Sequence, residues 1–349
     1  MLFGAAGLRS HIWNNNLRSL FLLAAFPVLL GLLGYAAALI WTAFNGRPEY
    51  IVESGRVVGG YGPPGLRGDL LYAWSLMPQI MMGAVALALV WFVIAWFMHQ
   101  RIIDGATGAK EVTRTEEPEL YNLLENLCIS RGIPMPRLAV IENRALNAYA
   151  SGLNQKQYRV TVTRGLMQRL DKDELEAVLA HELSHIRHHD VRLMVIAVIF
   201  VGIISFIGEA ISRGMFRGGR IRARGSSGGG GRGGGGAVIL IVIAVGLVAL
   251  AWFLAIMIRF TLSRRREYMA DAGAVELTKN PDAMISALAK ISGRSRLGET
   301  PDEMREMFIE NPRVGFMGMF ATHPPIDKRI DMLVKHAGGK RPVTSVPAV

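Results

Sequence analysis

The chain has 349 residues, enough for two domains, and 51% of them are hydrophobic against only 19% charged. With a mean hydropathy of +0.29, that balance excludes an ordinary soluble enzyme and points to a membrane protein. The net charge of +11 is local, since six arginines fall in one loop, and the single cysteine, Cys128, excludes an intrachain disulfide framework.

Arg9 and Arg18 precede 22 uncharged, mostly apolar residues, Leu20–Trp41. As a helix these would reach about 33 Å, enough for a bilayer core. A cleaved signal peptide ending near Ala36-Ala37-Ala38 is the rival, but the run exceeds a typical signal-peptide core, so an uncleaved anchor is expected. Asn45–Ser75 reads as a Gly/Pro-rich loop, and Met77–Met98 as a second 22-residue span with Pro78 in its first turn. Residues 1–98 are thus expected to form a membrane anchor.

Residues 99–192 read as a soluble α/β segment. Glu117–Arg131 predicts a helix with Leu120, Leu123, Leu124 and Leu127 on one face, where Cys128 is a core thiol. Arg137–Glu142 and Tyr158–Thr163 predict strands, the latter alternating at period two, with Asn147 and Ala148 between them. Residues 193–258 form an expected membrane hairpin. A short apolar run at 193–208 leads into a loop at 212–236 with six arginines, twelve glycines and no acid, then into a 22-residue span, Ala237–Ile258. The loop suits a flexible linker or a lipid-headgroup contact; with Phe216 as its one aromatic, nucleic acid is not an expected partner. Residues 259–349 read as a second soluble, helical part. Its Met/Phe-rich stretch (Met304 to Phe320) suits core packing or an adaptable apolar surface.

The chemistry centres on His181-Glu182-Leu183-Ser184-His185, inside a predicted helix over Asp173–Asp190 that Asp171 and Glu174 can cap. Residues i and i+4 share a helix face, so His181 and His185 can aim two imidazoles at one metal ion. Two imidazoles and a carboxylate suit zinc with its fourth position open. Zinc lowers the pKa of a bound water toward about 7, and Glu182 is the general base that takes its proton. The bland alternative is a surface helix with two solvated histidines, but the flanking Ala177–Ala180, Leu183 and Ile186 demand a buried side. The third ligand is Glu267 of Arg264-Arg265-Arg266-Glu267-Tyr268-Met269-Ala270-Asp271, with Asp271, one turn on, accepting the N–H of a ligand histidine. A salt-bridged helix face is the alternative there, because three arginines precede Glu267.

These two boxes, separated by a hydrophobic stretch, resemble the HtpX family of membrane-bound zinc proteases, gluzincins related to the CAAX prenyl proteases. Asn147-Ala148-Tyr149-Ala150 resembles the family's edge-strand segment before the zinc helix, and Thr322-His323-Pro324-Pro325 with Arg329 its C-terminal His/Arg element. The resemblance covers roughly residues 75–335. It implies an α-helical integral membrane protein whose α-rich gluzincin domain carries a small β-sheet and one Zn²⁺. By the same resemblance Asn147 and Ala148 would pair with substrate backbone, a form of β-augmentation. Asn147 equally suits a plain turn. His323, supported by Arg329, would stabilise the oxyanion, although His323 also suits a plain helix start.

If His185 and Glu267 share one zinc, the runs at 193–208 and 237–258 either both span or neither does. Positive residues flanking the spans place the catalytic part on the cytoplasmic side of a bacterial inner membrane, whereas the arginine loop breaks that rule if the pair spans. The expected function is a zinc endopeptidase cleaving misfolded or damaged membrane proteins. The competing class is a non-proteolytic membrane scaffold with a structural zinc and the Gly/Arg loop as its binding element; an intact Glu182 argues against it.

Overall fold

The computed structural model describes residues 8–46, 51–53, 56–59, 65–196, 234–260, 265–292, 308–309 and 324–341. The chain divides into two compact units. One comprises residues 1–20, 95–201 and 259–349, the other residues 21–94 and 202–258.

The second unit is built on long apolar helices: α1 (Leu8–Asn45), the first part of α3 (Met77–Thr107) and α8 (Gly234–Phe260), with the short α2 (Leu66–Ser75) beside them. Three of its segments are long and apolar enough to cross a membrane, Ser19–Asn45, Met77–Thr107 and Gly236–Leu254. Small side chains contribute to their packing: Ala36, Ala38, Ala73 and Ala244 join Leu39 and Leu240 in a buried cluster. Gly31 faces Met81 and Gly34 faces Ile80 so closely that an added Cβ would fall within 2.3–2.5 Å of those side chains. Small residues that let helix backbones approach are how association is achieved where lipid gives no hydrophobic drive. Large apolar side chains such as Phe21 and Trp252 are exposed in this unit, as lipid-facing positions require. The stretch Asn45–Ser75, expected as loop, instead contains a two-stranded antiparallel pair, β1 (Ile51–Glu53) with β2 (Arg56–Gly59), and α2. Val and Ile on both sides of Ser54-Gly55 supply the strand preference.

The other unit carries a four-stranded mixed sheet of β3 (Lys110–Val112), β4 (Arg137–Ile141), β5 (Ala148–Ser151) and β6 (Arg159–Thr163) in the order β3-β4-β6-β5. β4 and β6 are parallel; β3 and β5 are antiparallel to their neighbours and lie at the edges. Around the sheet stand α4 (Pro118–Arg131), α5 (Arg164–Arg169), α6 (Lys172–Arg187), α9 (Arg265–Thr278), α10 (Pro281–Ile291) and α11 (Ile326–Ala337). After α6 the chain breaks at His188–His189, where His189 adopts φ 61°, and re-enters a helix, α7, described over residues 190–196.

α6 is the central element. Asp171 accepts from Glu174 N at 3.0 Å while Glu174 reaches back to Asp171 N at 2.9 Å, a reciprocal cap. Glu174 is held in turn by Ser286 and Lys290 of α10, each at 2.6 Å. Leu175, Val178, Leu179, Leu183 and Ile186 are buried, at about 1.5–3 kcal/mol each. α6 packs chiefly on α9, and the contact is tight at Gly273, where an added Cβ would meet Ser184 Oγ at 2.0 Å.

The last turns of α3, from Ala95 onward, belong to this unit and are tied to the sheet by polar contacts. Gln100 pairs with Ser151, Thr107 with the Tyr149 hydroxyl, Gln157 with the Trp96 carbonyl, and the buried Arg159 with Asp104.

Candidate metal centre

His181 and His185 lie one turn apart on α6, and α9 brings Glu267 to them, all three buried. The two Nε2 atoms are 3.2 Å apart, and the Glu267 oxygens lie 3.7 Å from His181 Nε2 and 3.6 Å from His185 Nε2. Tetrahedral zinc with bonds of about 2.0–2.1 Å sets its ligand atoms about 3.3–3.4 Å apart, so the donor atoms fit such an ion.

The opposite ring nitrogens are also accounted for. His181 Nδ1 is 3.0 Å from Asp271 Oδ1, and His185 Nδ1 is 3.2 Å from Asp190 Oδ2. A carboxylate behind each ring fixes the tautomer that keeps the Nε2 lone pair on the shared centre. Burial favours a neutral His181, yet Asp271 and Glu267 outweigh it and hold the ring up at about 9.

Asp271 does a second job. Arg329 of α11, fully buried, donates from Nε at 2.9 Å and from Nη2 at 2.6 Å to the two Asp271 oxygens. Burial opposes ionisation of Asp271, but this guanidinium holds its carboxyl below the usual range. Arg329 Nη1 also donates to the Ile309 carbonyl at 2.9 Å. Arg329 is therefore locked behind His181 and against residue 309. Its expected companion His323 lies outside the described residues.

Glu182 is buried next to the ligand pair. Burial pushes its carboxyl up, His181 and His185 oppose that, Glu267 adds to it, and the Ala150 backbone N–H hydrogen-bonds the carboxylate and pulls it down. Ala150 lies on the edge strand β5, and Asn147 and Ala148 are buried at the start of that strand. Asp190 falls at the end of the predicted helix over Asp173–Asp190, but it sits beyond the helix break, where five-residue spacing from His185 carries no helical meaning. Ile309 gave no sequence signal.

A model described as Peptidase family M48 matches residues 114–337. A protease HtpX homolog of Bacteroides fragilis is 40% identical over 335 residues, covering 94% of this chain and 98% of that one. Another, from Listeria innocua, is 41% identical over 269 residues, covering 75% and 88%. Among solved structures, the crystal structure of S. mikatae Ste24p aligns with TM-score 0.43 and 22% identity over 71% of this chain and 57% of that one. By the family match and by near-complete overlap with these relatives, the chain belongs to peptidase family M48, as an HtpX-type membrane metalloprotease.

Proposed function

We propose that the protein is a zinc-dependent endopeptidase that cleaves unfolded or damaged membrane proteins at the cytoplasmic face of a bacterial inner membrane. The observation that carries the reading is the convergence of His181 Nε2, His185 Nε2 and Glu267 in one buried cluster, with a carboxylate behind each ring. His181, His185 and Glu267 hold the zinc. When bound there, zinc supplies Lewis acidity, polarising a carbonyl and acidifying water.

The remaining work falls to the chain itself. Glu182 takes the proton of the attacking water on its carboxylate and hands it to the leaving amine. Burial raises that carboxyl above the usual carboxylate range, which favours taking up a proton. Asp271 orients His181 and Asp190 orients His185. Asn147 and Ala148, at the edge of the sheet, bind the substrate main chain. Reading main chain rather than side chains suits many unrelated unfolded substrates. His323 is the oxyanion donor by resemblance alone, with Arg329 steadying that region. Arg101, Lys110, Arg187 and Arg192 flank the expected spans on the side of the catalytic unit, which supports the cytoplasmic assignment.

Zinc content measured beside proteolysis for wild type and Glu182→Gln tests the reading. The variant loses a base and no ligand, so it should keep zinc and lose cleavage. Near wild-type cleavage by zinc-loaded Glu182→Gln would sink the assignment.

A further inference from the structure

The dipeptide Phe308–Ile309 is held against β5. The Ile309 N–H is given to two acceptors, Asn147 Oδ1 at 3.1 Å and the Ala148 carbonyl at 3.0 Å. Its carbonyl accepts from Arg329 Nη1 at 2.9 Å. The Phe308 ring lies 5.6 Å from that of Tyr149, and both residues of the dipeptide are buried, at 3% and 2% exposure. One residue is therefore gripped by both its N–H and its C=O by groups at the metal centre's margin.

The outward groups of β5 show what this costs an incoming strand. Ala148 N–H is already given to Asn147 Oδ1 at 2.9 Å. Asn147 Oδ1, with two donors, has both lone pairs in use. The Ala148 carbonyl, the acceptor an added strand would need, is engaged by Ile309. A main-chain ligand arriving from outside meets an edge that the protein has closed with its own backbone.

We propose that Phe308–Ile309 is an internal occupant of the substrate-binding edge, an autoinhibitory strap that an outside polypeptide must displace before cleavage. This rests on the reading of Asn147 and Ala148 as substrate-binding residues. A tethered competitor acts at an effective concentration in the millimolar range, so weak contacts suffice to hold it in place. The apparent affinity of any substrate is lowered by the fraction of molecules whose edge is open. The strap also defines what can win the exchange: an extended segment with a free main-chain N–H and adjacent apolar side chains, one of them aromatic enough to replace Phe308 on Tyr149. Unfolded polypeptide offers this and a folded surface does not, so the strap acts as a filter against native proteins.

The test uses the full chain, zinc-loaded in detergent micelles, and a quenched-fluorescent, unstructured ten-residue peptide with Phe-Leu at its centre. Ile309→Pro removes the N–H bonded to Asn147 and Ala148, and Phe308→Ala removes the ring contact. Each should lower KM for the peptide about 3- to 10-fold with kcat retained. An unchanged or raised KM in correctly folded variants overturns the strap. A second arm leaves positions 308 and 309 intact, so variant misfolding cannot obscure it. In Glu182→Gln saturated with the same peptide, the backbone amide of Ile309 should exchange with deuterium faster than in the peptide-free protein, because the strap is released. Unchanged or slower exchange overturns the proposal. Cleavage by Glu182→Gln equal to wild type would instead overturn the peptidase chemistry, so the two failures are distinct.

Discussion

At the residue scale the centre divides labour between the two nitrogens of each histidine: Nε2 faces the shared cluster and Nδ1 faces a carboxylate. Glu267→Ala should therefore lose both zinc and activity, and full zinc occupancy in that variant would remove Glu267 from the ligand set. Asp271→Ala should weaken zinc affinity roughly 10–100-fold by freeing the His181 ring. It should also lower stability by about 3–5 kcal/mol, because Arg329 would keep its charge in a buried site without its bidentate partner. Metal titration and denaturant unfolding read these separately. Cys128 gives a pH-dependent expectation. Burial, then the Glu125 charge, pushes its thiol up to about 11. A raised thiol pKa means less thiolate at a given pH: at pH 8 roughly one molecule in a thousand, against roughly one in four for a free thiol near 8.5. Alkylation at pH 8 should be slow in the folded chain and fast after denaturation; equal rates would contradict the buried placement. The ligand pair and Glu267/Asp271 were legible in the sequence because helical spacing is a local rule. Arg329 on Asp271, 58 residues away, and Ile309 on Ala148 were not, because tertiary folding alone brings them together.

At the element scale α6 depends on two neighbours, α10 through Glu174 and α9 through Gly273. Gly273→Ala forces a Cβ onto Ser184, one residue from His185. Overpacking of this kind costs about 1–3 kcal/mol. Because α9 also carries Glu267, that variant should bind zinc less tightly as well. A shift in the unfolding midpoint with unchanged zinc affinity would mean that α9 tilts without moving Glu267. The elements readable from sequence were those with their own apolar run, periodicity or cap: α1, α3, α4, α6, α8, β4 and β6. The three-residue β3 is a strand only because β4 is beside it, and α2 begins after Gly65 at φ 92° without an apolar repeat to announce it. The predicted helix over Asp173–Asp190 gives no sign of the interruption at His188–His189; His189 enters the left-handed region at a non-glycine residue, which no pattern signals.

At the scale of the whole molecule, His185 and Glu267 share one cluster, so the chain between them crosses the bilayer an even number of times. α8 is one segment able to cross; the apolar run at 193–208, most of which lies outside the described residues, is the other candidate. Leaving α8 in water would cost tens of kcal/mol at roughly 1.5–3 kcal/mol per large apolar side chain, which favours two crossings over a surface hairpin despite the arginines of the loop. A cysteine at Ser226 in a Cys128→Ser background should label from outside intact cells with an impermeant reagent. Labelling only after lysis would favour the hairpin. The polar ties between the end of α3 and the sheet bear on where this polypeptide can be cut. A cut at the end of α3, after Thr107, would discard the whole helix as anchor. A fragment begun at Gly108 would lose Gln100, Asp104 and Thr107, leaving the Arg159 guanidinium in the interior without its carboxylate at a cost of about 3–5 kcal/mol. A fragment begun at Ala95 would retain all three. The unit that carries the metal centre thus begins inside helix α3, and truncation at the end of that helix would strip β5 and β6 of the side chains that tie them to it.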